Sequence, residues 1–395
     1  MSTVVTAELL DRVRERLAGG DTDPDPARVA AALRAEAGGV LGDTDLLHAL
    51  RTLQTEMTGA GVLEPLLHDP AVADVLVTGP EAVWIDRGRG VERTGVTFPD
   101  EAAVRRLAQR LALAAGRRLD DAQPWVDGRL PGNEAALGDS FGVRLHAVLA
   151  PIAHGGTCLS LRVLRPATQG LTALCASGSI PADTARLLRD IVRARAAFLV
   201  SGGTGSGKTT LLSALLAEVG PAERLICVED AAELAPPHPH VVRLVARTAN
   251  VEGAGAVTVR DLVRQALRMR PDRIVVGEVR GAEVVDLLTA LNTGHDGGAC
   301  TVHANSPREV PARLEALAAL GGMDARALHS QLAAAIQVVL HVHRTPSGSR
   351  ALREIGLLER EPDGSIRVVP AWRADNTPAP AASALESLLA ERINP

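Results

Sequence analysis

Apolar residues recur along the chain in different rhythms, and the changes of rhythm divide it. Over residues 1–57 the spacing is three and four, as at Leu46, Leu47, Leu50 and Leu53, which predicts amphipathic helix. The run Asp21–Pro26, DTDPDP, breaks that helical segment into two pieces. Between 58 and 165 short strand-like runs enter at Ala73–Val77, Ala82–Asp86, Val143–Leu149 and Cys158–Leu164. A helix at Glu101–Ala115, bearing Leu107, Leu111 and Leu113, lies among them, so an α+β domain built on a sheet is expected. Residues 166–181, from Pro166 to Pro181 and carrying Thr, Gly and Ser, read as a hinge linker.

After the hinge, apolar strand-like runs alternate with helical patterns, the arrangement of an α/β domain with a parallel sheet, expected over 182–375. The strands are predicted at Ala197–Val200, Leu225–Val228, Val241–Val245, Arg273–Val276 and Ala299–His303. Helices are predicted at Thr209–Val219, Thr258–Arg270 and Ala282–Asn292. Residues 376–395 read as a C-terminal tail, rich in Pro and Ala before a last short helix.

Immediately after the first of these strands comes SGGTGSGKTT, residues 201–210, running into the helix. Gly202-x-x-x-x-Gly207-Lys208-Thr209 matches the phosphate-binding P-loop in the strand–loop–helix setting that gives the motif its meaning. Gly202, Gly203, Gly205 and Gly207, with Thr204, Ser206 and Thr210, let successive backbone N–H groups face a phosphate while the helix dipole adds positive potential. Lys208 supplies a mobile charge for the β- and γ-phosphates, and the Thr209 hydroxyl a ligand for Mg²⁺. Composition sharpens the point. The chain has 42 Lys and Arg, and Lys208 is its only lysine. A compact ammonium survives in an arginine-biased chain where a guanidinium does not substitute, as at a phosphate.

The strand RIVVGEVRG, residues 273–281, ends in an acid where a second phosphate-site motif belongs. Glu278 is placed to polarise the attacking water or hold Mg²⁺. The preceding position, where P-loop proteins usually carry Asp, is Gly277, which leaves magnesium coordination open. Two further clusters follow the same logic: Glu229, Asp230 and Glu233 after the second strand, and GHDGGACTVHAN, residues 294–305, with His295 and His303.

These four motifs, in this order, resemble the secretion ATPase superfamily of type II and type IV secretion, type IV pili and conjugation, and most closely its tight-adherence pilus and conjugal-transfer branch. The resemblance spans roughly residues 60–345. It implies a RecA-like P-loop core preceded by a smaller α+β domain and an N-terminal helical segment. It implies ATP and Mg²⁺ as ligands, Glu278 as catalytic glutamate, and Glu229, Asp230 and Glu233 positioning Mg²⁺ and water. His295 and His303 are implied as γ-phosphate sensors, and arginines of the first domain, here Arg144 and Arg162, as a clamp over the nucleotide. Arg243, Arg247 and Arg280 are further candidates for donation from a neighbouring subunit. A homohexameric ring working on an integral-membrane platform protein from the cytoplasmic side is also implied.

Charge and composition bear on the rivals. A net charge of −5 and a pI near 6.1 give no positive field for nucleic acid or anionic membrane. Three Trp, three Phe and no Tyr leave few platforms for stacking bases, which weighs against a RecA-like helicase or translocase. Intact Lys208, Thr209 and Glu278 weigh against a nucleotide-binding scaffold without turnover. Cys158, Cys175, Cys227 and Cys300 show neither zinc nor disulfide spacing and read as reduced apolar fillers. The N-terminus lacks a signal-peptide apolar region. No run approaches the ~20 apolar residues of a membrane span, so membrane association is expected through partners.

Overall fold

The computed structural model describes residues 9, 12, 13, 16, 26–37, 59–130, 142–250, 252–345 and 348–393. The helical positions Leu46, Leu47, Leu50 and Leu53 lie outside the described residues. The chain separates into two compact units, Met1–Ala136 with Gly142–Val163, and Leu137–Phe141 with Leu164–Pro395.

In the first unit, α1 (Pro26–Glu36) and the short α2 (Glu64–His68) precede a six-stranded sheet of order β3-β2-β1-β6-β5-β4. Its strands are β1 (Asp74–Thr78), β2 (Val83–Asp86), β3 (Val91–Arg93), β4 (Trp125–Leu130), β5 (Gly142–Val148) and β6 (Cys158–Leu164). Val75, Val77, Val83, Ile85, Val143, Leu145, Leu159 and Leu161 are buried at alternate positions, as a sheet with one covered face requires. Helix α3 (Glu101–Ala114) starts where the Asp100 carboxylate accepts the Ala103 N–H at 2.7 Å, an N-cap that satisfies one orphan donor. Leu107 and Leu111 are buried, but Leu113, two positions on and therefore on the opposite side of the helix, is 75% exposed. The sequence pattern gave no sign of β3, whose residues are all exposed.

The second unit holds an eight-stranded sheet of order β14-β13-β12-β7-β11-β10-β8-β9. The anticipated strands are β7 (Phe198–Gly202), β8 (Leu225–Glu229), β9 (Val241–Val245), β10 (Arg273–Val279) and β11 (Ala299–His303). With β12 (Val338–Arg344) they pair in parallel. β13 (Arg350–Arg360) and β14 (Ile366–Arg373) extend the sheet antiparallel. Helices α4 (Leu171–Ala176), α5 (Thr184–Arg193), α6 (Lys208–Leu216), α7 (Val259–Ala266), α8 (Glu283–Leu291), α9 (Val310–Leu320), α10 (Ala325–Ala335) and α11 (Ala382–Ile393) complete the unit. Apolar clusters of buried residues include both Phe198 and Leu212 in one and Leu199 and Leu287 in the other. Helices on both faces explain why β7, β8 and β10 read as unbroken apolar runs.

One segment differs from its reading in the sequence. Residues 166–181 contain α4, whose Leu171 and Leu174 are buried in the second unit's core, and Ala167 bridges to Leu234. Its apolar residues are masked by Pro, Gly and Ser in composition alone. The last short helix expected within 376–395 is α11, whose Leu385 and Leu389 enter the same core. Among the described residues no helix is long and apolar enough to cross a membrane.

At the N-terminal end of the parallel strands stands Arg273, 1% exposed and the largest fully buried side chain among the described residues. Its Nε and Nη2 donate to Glu223 at 2.9 and 3.0 Å, and Nη2 also to the Val192 carbonyl at 3.0 Å. Arg195 reaches the same carboxylate. Burial penalises the charge on Glu223, but hydrogen bonding and charge from Arg273, then charge from Arg195, outweigh it and hold the carboxyl below its ordinary value.

Replacing Arg273 by Ala removes two charged hydrogen bonds and leaves Arg195 as the cation on the partly buried Glu223, so unfolding titrations are expected to show a loss of about 2 kcal/mol or more. Glu223 has a depressed folded-state pKa, so its contribution is present above the ordinary carboxylate range and is lost as pH falls through the folded value. The thermal midpoint of wild type should therefore decline on acidification below about pH 4.5 more steeply than that of Arg273→Ala.

Candidate phosphate site

The parallel register brings distant residues to one edge of the sheet. His303 at the end of β11 pairs with Gly202 at the end of β7, and β10 with Glu278 and β8 with Glu229 follow in order. A crevice at the carboxyl ends of parallel strands, where strand order reverses about β7, is the ligand position of open α/β sheets.

The loop is held by close approach. A Cβ on Gly202 would stand 2.4 Å from the Val342 carbonyl oxygen and 2.5 Å from Ser206 Oγ, so only glycine fits. Gly205 and Gly207 have φ of +67° and +96°, the left-handed region glycine tolerates, and Gly207 caps α6. Ser206 donates to the Gly203 carbonyl at 2.9 Å, Thr204 is exposed at the loop tip, and Thr209 and Thr210 lie in the first turn of α6. Lys208 Nζ donates to the carbonyls of Gly202 and Gly203 at 3.1 and 3.0 Å. Burial lowers its pKa, with Glu278 opposing, Arg280 reinforcing and Glu233 opposing.

Glu229 is 2% exposed. Its Oε1 accepts the N–H groups of Glu233 and Leu234 at 3.0 and 2.9 Å, while Oε2 is buried without a hydrogen-bond partner. Burial pushes its carboxyl up to about 7, against the two backbone hydrogen bonds. The space it fills explains the missing aspartate: a Cβ on Gly277 would stand 2.8 Å from Glu229 Cγ. Any side chain at 277 would collide with the acid from the neighbouring strand.

The turn after β8 carries Glu233 to Thr209, whose Oγ1 donates to Glu233 Oε2 at 3.3 Å. Burial and then the charge of Asp230 push the Glu233 carboxyl up. Arg280 joins the other two acids, donating from Nη1 to Asp230 at 2.7 Å and from Nη2 to Glu278 at 2.6 Å.

Lys208, Thr209, Glu229, Asp230, Glu233, Glu278, Arg280 and His303 therefore lie at the same sheet edge. His295 does not join them. It precedes β11, and the strand from Ala299 to His303 alone spans about 13 Å; its Nδ1 lies 3.1 Å from the Ala290 carbonyl oxygen. Arg144 lies on Asp127 at 3.0 Å and Arg162 on Asp74 at 2.8 Å, inter-strand ion pairs in the first unit's sheet. Arg243 is exposed on the edge strand β9, and Arg247 donates to the Gly255 carbonyl at 2.8 Å.

Sequence reasoning missed the β12–β13 side of the loop. Ser201 Oγ and His341 Nδ1 are 2.9 Å apart and buried, and burial, then His343 and Arg353, pull the imidazole down to about 4. Arg350 Nε donates to the Gly205 carbonyl at 3.0 Å. Only the strand order reveals these, because they are some 140 residues from the loop.

A family model described as "Type II/IV secretion system protein" matches residues 56–363. A Mycobacterium tuberculosis (strain ATCC 25618 / H37Rv) protein named "Putative conjugal transfer protein Rv3659c" is 67% identical over 355 residues, 90% of this chain and 100% of the relative. Conjugal transfer protein TrbB of Rhizobium radiobacter is 31% identical over 293 residues, 73% of this chain and 84% of the relative. Among solved structures, the Legionella pneumophila ATPase DotB aligns with a TM-score of 0.52 at 16% identity, over 84% of this chain and 87% of that one, a likeness of fold.

The packing of Glu229 on Gly277 yields a thermodynamic test. Gly277→Ala should cost about 1–3 kcal/mol by overpacking. In a Glu229→Ala background the same substitution should cost little, so a double-mutant cycle by chemical unfolding should return a coupling of about 1 kcal/mol or more.

Proposed function

The chain belongs to the type II/IV secretion system protein family, and on that premise we propose that it is an ATP-hydrolysing motor of a secretion, pilus or conjugation machine. The observation that carries the reading is the convergence of Lys208, Thr209, Glu229, Glu233 and Glu278 on one phosphate loop at the end of the parallel sheet. In this reading the loop N–H groups and the α6 N-terminus hold the β-phosphate, and Lys208 turns from the loop carbonyls to the β- and γ-phosphates. Glu278 orients water once Arg280 releases it. His303, beside Gly202, is the histidine placed to sense the γ-phosphate. His295, before the far end of β11 and against the Ala290 carbonyl, takes no part in that sensing.

Among the described residues no group of three or more His, Cys, Asp or Glu side chains is arranged to hold a metal by itself. A magnesium ion carried by a nucleotide needs only one or two protein oxygens besides phosphate and water. Thr209 Oγ1 and the buried, unpartnered Oε2 of Glu229 fit that need, and magnesium supplies charge neutralisation at the phosphates when bound. Arg144 and Arg162, the arginines proposed as a clamp over the nucleotide, are held in ion pairs with Asp127 and Asp74 within their own sheet.

The motor is proposed to work as a homohexameric ring on the cytoplasmic face, passing movement to an integral-membrane platform protein. Relatives named for conjugal transfer support this branch of the family. Mg²⁺-dependent ATP hydrolysis, measured alongside molar mass by light scattering, tests the reading. Turnover should rise with the hexamer population and fall about 10²-fold or more in Glu278→Gln. ATP binding without turnover in every assembly state would favour a scaffold, and stimulation by DNA would favour a translocase.

A further inference from the structure

The acids of the site all lie on one flank of the phosphate loop. In the sheet, β11, β10 and β8 stand to one side of β7, and β12 with β13 to the other. The hairpin between β12 and β13 brings two guanidiniums against the loop on that second flank. Arg350 lies along it: Nε donates to the Gly205 carbonyl at 3.0 Å, and Cδ would be 3.3 Å from a Cβ on Gly207. Arg344, at the end of β12, places Nη1 3.8 Å from where a Cβ on Gly205 would stand. Among the described residues neither guanidinium has a carboxylate partner, whereas Arg273, Arg280 and Arg373 each lie on one.

A nucleoside triphosphate is an asymmetric ligand, and the two flanks are asymmetric in the matching sense. Its terminal phosphate, with magnesium and the attacking water, belongs with Glu229, Glu233 and Glu278. With the β-phosphate in the loop and the terminal phosphate toward the acids, the α-phosphate lies away from them, and the β12 flank is where the loop meets guanidiniums. An unpaired guanidinium there meets phosphate oxygens with charge-assisted hydrogen bonds.

We infer that Arg344 binds the α-phosphate of the nucleotide and that Arg350 braces the loop which receives the β-phosphate. Arg344 is thus a determinant of nucleotide over shorter phosphate ligands, and Arg350 is a positioning residue. The inference rests on the reading of this loop as an ATP site, and it can fail while that reading stands.

The test is calorimetric titration of the full chain, in the presence of Mg²⁺, with a non-hydrolysable ATP analogue and with inorganic pyrophosphate, which spans only two phosphate positions. Arg344→Ala should weaken the analogue about tenfold or more, as for a lost charged hydrogen bond, and leave pyrophosphate within about twofold. Arg344→Lys should recover part of the loss. Arg350→Ala should weaken both ligands, and thermal midpoints close to wild type would show that each variant is folded. If Arg344→Ala binds both ligands as wild type does, or weakens them equally, the assignment of Arg344 falls. If Arg350→Ala leaves both ligands unchanged, its bracing role falls. Wild type that binds neither ligand would overturn the ATP reading itself, and this inference with it.

Discussion

Burying a carboxyl group is costly unless hydrogen bonds or opposite charge meet it, and the parallel sheet carries such a group, Glu229, at the end of β8. Two backbone N–H groups satisfy one of its oxygens and the other faces no partner. The arrangement depends on Gly277, because a side chain on β10 would occupy the same volume. The volume that a side chain at 277 would take is therefore filled from across the sheet, by an acid of β8. The same two hydrogen bonds shape the turn after β8 and so set where Glu233 meets Thr209.

The two ends of the strands make opposite use of charge. At the N-terminal end, Arg273, Arg195 and Glu223 form a network with its polar atoms matched to carboxylate and carbonyl partners. At the C-terminal end the groups are imperfectly satisfied: Lys208 is curled onto loop carbonyls, Glu229 keeps a bare oxygen, and Arg280 spans two acids. Local inconsistency of this kind concentrates where a ligand completes the structure. Gly202, wedged against Val342, ties the loop to β12 and makes the β12–β13 hairpin part of the site.

Much of this was legible in the sequence because its signals are local. The P-loop is a contiguous motif, and β7, β8, β10 and β11 announce themselves as apolar runs buried on both faces. Glu229, Glu233 and Glu278 follow directly from strand ends. What stayed hidden depends on register between distant segments. Nothing local says that β12 pairs with β7, so His341, Arg344 and Arg350 could not be placed near Ser201 and Gly205. β13 and β14 mix charged and apolar residues and form an antiparallel extension that the alternation of strands and helices did not suggest. His295 sits within a few residues of His303 in a motif read as one unit, but a strand between them sends the two to opposite ends of the sheet. Arg144 and Arg162 alternate with buried residues on exposed strand faces, and their ion pairs require knowing which strand lies alongside.

On the function proposed above, the unsatisfied groups at the C-terminal edge of the sheet receive a magnesium–nucleotide complex. A crystal structure of the chain with Mg²⁺ and a non-hydrolysable ATP analogue tests it most directly. Phosphates are expected within the 202–209 loop, with Lys208 Nζ moved from the carbonyls of Gly202 and Gly203 onto phosphate oxygens and a new polar partner on Glu229 Oε2. A nucleotide bound elsewhere, with Lys208 still on those carbonyls and Glu229 Oε2 still bare, would contradict it.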